Sequence, residues 1–472
     1  MAFRDDFIWG AAAASYQIEG NTQGVDGCAD SVWDMCSRRK GFVLDGNTGF
    51  NACDHYNRYE EDVQIMKSLS LDAYRLSIMW PRVMPEGTGK VNQTGLDYYD
   101  RLVDELLANG IDPWVTLFHW DYPMALFHKG GWLNDDSSDW FAEYTRVIVD
   151  KLSDRVSNWF TLNEQACFIG LGHQSGMHAP GLQLATKEVN RAWHNALLAH
   201  GKAVKILREE AKKPAKVGAA PCFRTAAPAS NSEQDIEAAR QRTFNVVDDQ
   251  MFNATWWMDP AFKGEYPQDG LALFGNDAPE VKDGDMDIIC QPLDFVGINV
   301  YNSELVKMGA NGQPEVVPYP NDYPYTHFRW PVTPESLRWT TQFLYERYNK
   351  PLIITENGLS TNDWVSLDGK VHDTTRIDFL NRYLLGLKQA ADSGVDIMGY
   401  FQWSILDNFE WAEGYLQRFG LVHVDYATQK RTIKDSGFWY KSVIESNGSV
   451  LGSSNPLDGW RAPEDFNRNI KS

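Results

Sequence analysis

Short apolar runs alternate with stretches of helical periodicity along nearly the whole chain, and this alternation narrows the folds open to it. Apolar and β-branched runs predict eight strands: Phe7 to Ala14, Ala73 to Trp80, Pro113 to Trp120, Trp159 to Glu164, Lys216 to Cys222, Asp294 to Tyr301, Pro351 to Glu356 and Ile397 to Ser404. Amphipathic stretches between them predict helices over Tyr56 to Leu69, Thr94 to Ala108, Ser138 to Ser153, Lys187 to Ala211, Pro334 to Tyr348 and Thr374 to Ala391. Near-continuous apolar strands suit a parallel sheet whose two faces are both covered. The pattern therefore predicts an α/β fold, a single (β/α)8 TIM barrel with elaborated βα loops at the carboxyl rim. A doubly wound open sheet is the alternative, but no Gly-x-Gly-x-x-Gly turn follows an early strand.

The 472 residues exceed an average domain, yet barrels commonly run long. No Pro/Gly/Ser-rich linker, low-complexity tract or internal repeat interrupts the alternation, so one domain over 1–472 is expected. Long connections at Gly20 to Asp54 and Val306 to Trp330 follow the first and sixth strands and should wall a pocket.

Several polar and aromatic residues sit where strands end. Gln17-Ile18-Glu19 follow the first strand, His119-Trp120 close the third and Asn163-Glu164 the fourth. Asn299 and Tyr301 close the sixth, Glu356 the seventh and Trp403 the eighth. In a barrel these positions converge on one cup. Singly, a strand-end amide satisfies loop backbone and a lone histidine is a structural hydrogen-bonding residue. Together, amides, a histidine and tryptophans match a sugar: paired partners for adjacent hydroxyls and flat faces for ring C–H groups. Two glutamates distant in sequence, Glu164 and Glu356, would meet on one rim, and paired carboxylates suggest glycosidic bond cleavage. A further loop, Asp407-Asn408-Phe409-Glu410-Trp411, offers Glu410 to sugar hydroxyls or, alternatively, to an ion pair with Arg418.

Composition excludes more than it selects. Sixty-four acidic against 44 basic residues give a formal charge of −20, which repels nucleic acid and anionic membranes and favours a small neutral partner. No stretch of eighteen apolar residues and no leader-like N-terminus is present, so a cytoplasmic location is the default reading, shared by a mature secreted form. Six cysteines at 28, 36, 53, 167, 222 and 290 lack Cys-x-x-Cys spacing and read as reduced, mostly buried thiols rather than metal ligands. No His-Glu-x-x-His motif occurs, and His173 and His178 have no paired ligands nearby in sequence. No cofactor and no metal are expected. The sequence leaves the oligomeric state open.

Several ordered blocks carry a family resemblance: Phe7-x-Trp9-Gly10 with Ser15-Tyr16-Gln17-Ile18-Glu19-Gly20, Tyr74-Arg75-x-Ser77-Ile78-x-Trp80-Pro81-Arg82, Leu117-x-His119-Trp120-Asp121 and His178-Ala179-Pro180-Gly181. Nearly end to end, the chain resembles the retaining β-glycosidases of glycoside hydrolase family one, in particular the β-glucosidases. The resemblance implies Glu164 as acid/base and Glu356 as nucleophile, with Arg75 and Tyr301 hydrogen-bonding the nucleophile. Asn163 would hold the sugar 2-hydroxyl, with Asn299 beside it, and Gln17, His119, Trp120, Glu410, Trp403 and Trp411 would form the glycone pocket. Trp330 would be the aglycone platform. One departure stands beside the acid/base: Gln165 replaces the family's usual proline, followed by Ala166, and loss of a fixed φ would loosen that loop. The rival within the family is a 6-phospho-β-glycosidase, which needs cations around the sugar 6-position; a non-catalytic sugar-binding barrel is the rival outside it.

Overall fold

The computed structural model describes residues 2–22, 24 and 26–452, so the final part of the expected domain, 453–472, lies outside the described residues. Eight parallel strands run Ile8–Ala12, Ala73–Ser77, Asp112–Phe118, Asn158–Asn163, Lys216–Ala220, Val296–Asn299, Leu352–Asn357 and Ile397–Trp403. Hydrogen bonding orders them fifth, fourth, third, second, first, eighth, seventh, sixth. Backbone bonds Asp294 N–H to Val217 O and Asn299 N–H to Pro221 O, both 3.0 Å, bridge the fifth and sixth and bring the ring to near closure. The barrel is the expected fold, and the open sheet is excluded.

Helices cover the barrel at His55–Ser68, Gln93–Ala108, Ser137–Leu152, Thr186–Glu210, Glu335–Tyr348 and Thr374–Asp392. Leu96, Tyr99, Val103 and Leu106 show why such stretches are helical: their three- and four-residue spacing puts one buried stripe against the sheet. None of the helices among the described residues is long and apolar enough to cross a membrane.

The interior is filled in layers. Trp114, Phe160, Phe295 and Phe401 pack with ring centroids 5.5 to 5.7 Å apart, giving the barrel an aromatic floor. Small residues make room for them. A Cβ at Gly10 would lie 2.4 Å from the Phe401 ring, and one at Gly218 would lie 2.3 Å from Phe295. The carboxyl ends of all eight strands open above this floor.

Two expectations about the loops need correction. No described residue of the Gly20 to Asp54 connection lines the cavity; its helix Val32–Arg38, capped by Ser31 and Asp34, instead sets Trp33 behind Trp411 at 4.7 Å between ring centroids. The Val306 to Trp330 connection is not all loop. Glu304–Met308 and Pro314–Val317 form an antiparallel pair, and Ala226–Pro228 joins as a third, parallel strand. Only its far end, at Phe328 and Trp330, reaches the cavity. A second antiparallel pair joins Val422–Asp425 to Lys430–Ile433.

Candidate active site

Arg75 organises the floor of the cup. It lies in the middle of the second strand with its guanidinium over the Phe160 ring at 5.1 Å, almost wholly buried. Burying a cation costs heavily unless its donors are all used. Here Nη1 donates to Glu356 Oε1 at 2.6 Å and to Thr355 O at 3.0 Å, Nη2 to Asn163 Oδ1 at 2.6 Å, and Nε to Thr116 Oγ1 at 3.2 Å. The second, third, fourth and seventh strands are thereby tied through one side chain.

The two glutamates enter this network from different sides. Glu356 receives Arg75 on Oε1 and the Tyr301 hydroxyl on Oε2 at 2.7 Å. Glu164 receives only an amide among these, Asn299 Nδ2 at 2.8 Å, and Asn299 also donates to Asn163 Oδ1 at 3.0 Å. Thr355 Oγ1 donates to Asn299 Oδ1 at 2.6 Å, fixing which end of that amide faces the glutamate. The pair is therefore chemically unequal. Burial, and next the charge of Glu356, push the Glu164 carboxyl up to about 7. Burial also raises Glu356, but the Arg75 charge and the Tyr301 hydroxyl oppose it, so Glu356 ionises first.

Around them the predicted pocket residues assemble. Asn163 Nδ2 donates to His119 Nε2 at 3.0 Å, and burial, with the Arg75 charge, holds His119 well below the usual histidine range, so its ring is neutral. Trp120 Nε1 donates to Asn163 O at 2.9 Å. His119 stacks between Trp403 and Trp411, 5.9 Å from each ring centroid, and Trp411 lies 4.4 Å from Trp120. Gln17 Nε2 donates to Phe409 O at 2.8 Å and to Glu410 Oε2 at 3.3 Å, joining the first and eighth strand ends. Its buried Oε1 has no protein partner, leaving an acceptor for a hydroxyl. Burial, then the charges of Glu356 and Glu164, push Glu410 up to about 8. Arg418 does not pair with Glu410: its Nη1 donates to Asp407 Oδ2 at 2.7 Å. Trp330 stacks on Phe328 at 4.5 Å and stands 5.2 Å from Tyr301 at the cavity mouth.

Backbone geometry marks the same places. Glu164 (φ 48°), Trp120 (φ 79°) and Trp411 (φ 50°) occupy the left-handed region. Each costs about 1–3 kcal/mol and persists only where surrounding structure demands it, a hallmark of functional sites. Past Glu164 the chain winds into a π-helix, Ala166–Ser175. Gln165 itself holds φ −58°, the value a proline would impose, so the backbone takes a proline-compatible conformation here without a proline.

The cavity has a volume of about 530 Å³, and Glu164, Glu356, His119, Trp120, Asn299, Tyr301, Trp330, Trp403, Glu410 and Trp411 line it. Arg75, Asn163 and Gln17 act from just behind the lining. Glu19 is elsewhere, paired with Arg82 and Tyr99. The sequence reading missed the outer wall: Cys167, Leu171 and Met177 on the π-helix and its sequel, Cys222 to Thr225 past the fifth strand, and Gln250 and Phe252. The His178-Ala-Pro-Gly block pointed to this wall, since His178 lines it.

The family model described as "Glycosyl hydrolase family 1" matches residues 1–449. "Beta-glucosidase A" of Thermotoga maritima is 47% identical over 448 residues, 94% of this chain and 98% of that protein. A "Bifunctional beta-D-glucosidase/beta-D-fucosidase" of Bifidobacterium breve is 38% identical over 473 aligned residues, covering 95% of this chain and 99% of that one. A solved "Beta-glucosidase from Thermotoga maritima in complex with glucoimidazole" superposes with a TM-score of 0.86 at 46% identity, over 95% of this chain and 99% of that one. The chain belongs to glycosyl hydrolase family 1.

Proposed function

We propose that this protein is a retaining, exo-acting β-glycosidase, chiefly a β-glucosidase, that removes terminal non-reducing β-D-glucosyl residues from cello-oligosaccharides or from aryl and alkyl β-glycosides. The observation that carries the reading is the inequality of two buried carboxyls in one cavity: Glu356 against a guanidinium and a phenol, Glu164 against an amide. Ionised Glu356 attacks the anomeric carbon while protonated Glu164 delivers its proton to the leaving oxygen. Esterification removes the charge of Glu356, so the Glu164 pKa falls and the same group then deprotonates the incoming water. Two inversions give net retention. The scheme requires carboxyl groups about 5–5.5 Å apart.

In this reading Arg75 and Tyr301 hold the nucleophile, Asn163 and Asn299 meet the 2-hydroxyl and the acid/base, and Gln17, His119, Trp120, Trp403, Glu410 and Trp411 grip the glycone. Trp330 faces the leaving group. The names of the relatives support glucosides, and the bifunctional relative supports tolerance of fucosides. Neutral substrates are favoured over phosphorylated ones because, among the described residues, the one arginine or lysine lining the cavity, Arg224, is already paired with Asp248 at 2.6 Å. Six free thiols support a cytoplasmic setting, and we read residues 1–472 as one catalytic domain.

A panel of neutral and 6-phosphorylated aryl β-glycosides tests the assignment. Turnover of neutral glucosides, with weaker turnover of galactosides or fucosides, is expected. Cleavage of the phosphorylated substrates alone would overturn it.

A further inference from the structure

Two cysteines that the sequence keeps apart meet beside Glu164. The fourth and fifth strands are paired, with Asn163 opposite Ala220, and the Glu164 N–H donates to Ala220 O at 2.9 Å. This places Cys222, two residues past the fifth strand, next to the end of the fourth. The π-helix then brings Cys167 back one turn after Glu164, with Cys167 N–H on Glu164 O at 2.9 Å. The two Sγ atoms stand 3.6 Å apart, both side chains line the cavity, and both thiols are free. One Sγ from each cysteine and one Glu164 carboxylate oxygen all lie within 4.8 Å of one another.

The spacing has a chemical meaning. A disulfide needs about 2.05 Å between sulfurs, so these thiols are well short of bonding. Two thiolates on a tetrahedral cation with metal–sulfur bonds of about 2.3 Å stand about 3.8 Å apart, close to what is found. Asn299 occupies Glu164 Oε1, which leaves Oε2 as the third donor, and the open cavity supplies room for a water as the fourth. Two sulfurs and one carboxylate select a soft, tetrahedral divalent cation over Mg²⁺ or Ca²⁺.

We propose that Cys167, Cys222 and Glu164 form an inhibitory binding site for a thiophilic divalent cation of the Zn²⁺ and Cd²⁺ type. On binding, two metal–sulfur bonds and one metal–oxygen bond form. The two S–H protons leave to solvent, together with the Glu164 proton where it is present. A metal-bound Glu164 has no proton to give and its lone pair is engaged. The inhibition, though not the binding, rests on Glu164 being the proton donor.

The test is a titration of the reduced, reductant-free enzyme with Cd²⁺, following the ultraviolet cadmium–thiolate absorption and glucosidase activity together. One Cd²⁺ per chain is expected, activity falling with the same midpoint and returning on addition of EDTA, with Zn²⁺ inhibiting and Mg²⁺ without effect. Cys167→Ser and Cys222→Ser should each weaken Cd²⁺ binding about tenfold or more, and the double variant should lose the absorption band. Independently of any variant, Cd²⁺-soaked crystals should show an anomalous peak between the two Sγ atoms. Peaks confined to surface carboxylates, or inhibition undiminished in both cysteine variants, would overturn the site. A thiolate band with full activity would keep the site and instead overturn the role given to Glu164.

Discussion

Glu164 combines a left-handed backbone and burial with an amide and a thiol as neutral partners, while Glu356 has a cation and a phenol. The consequence is a bell-shaped pH dependence of kcat/KM. Glu356 must be ionised, which sets the acid limb; Glu164 must be protonated, so activity falls as pH rises through about 7. Glu164→Gln, assayed on a substrate whose leaving group needs no proton, should lose the alkaline limb, and a limb that persists would assign it to another group. Glu356→Ala should lower kcat by about 10⁴-fold or more. Glu164→Ala should cost about 10²–10⁴-fold on poor leaving groups, spare activated ones and respond to added azide; equal loss on every substrate would contradict the roles. Gln165→Pro fits the observed φ of −58° and should raise stability by about 0.4–1 kcal/mol, read as an increase in Tm. Most residues of the inner cavity were legible because they lie at or just past strand ends, as His119, Glu164, Asn299, Glu356 and Trp403 do. The outer wall was not, since Cys167 and Cys222 become neighbours only through strand pairing and a π-helix that no simple periodicity signals.

The barrel strands and their helices carry strong periodic signals, and the six predicted helices agree with the structure to within one residue at each end. Most strands stop earlier than their apolar runs, because the residues beyond them turn into the rim: Trp120 and Glu164 leave extended geometry altogether. The small three-stranded sheet was invisible for a different reason. Ala226–Pro228 spans three residues and Pro314–Val317 opens on proline, too little for a period-two pattern. Helix Ala254–Lys263 carries Pro260 in its interior, and proline in a sequence reads as a stop. Packing of the aromatic floor is testable at this scale. Gly10→Ala drives a methyl into the Phe401 ring and should cost about 1–3 kcal/mol by urea unfolding, with the slope unchanged. Adding Phe401→Leu should recover part of that loss, whereas strictly additive effects would argue against contact between the two positions.

Across the whole molecule, holding protonated carboxyls in the cavity links stability to pH. The folded chain keeps a proton on Glu410 up to about 8, whereas an unperturbed glutamate releases it near 4.5. Between those values the unfolded chain binds fewer protons than the folded one, so this group's contribution to stability falls as pH rises. Glu410→Gln should therefore gain Tm relative to the parent as pH rises from about 5 to about 8. A difference that is flat, or that shrinks over that range, would place an ionised carboxylate at this position. The acidic balance of −20 gives the molecule a negative field that does not choose the sugar. The central claim is that Glu356 attacks carbon directly while Glu164 supplies the proton, and the anomer first released reports it most directly. Proton NMR of early turnover of an aryl β-glucoside should show β-glucose forming before mutarotation produces the α form. α-Glucose appearing first would mean a single inversion by water, and the assigned roles would be wrong.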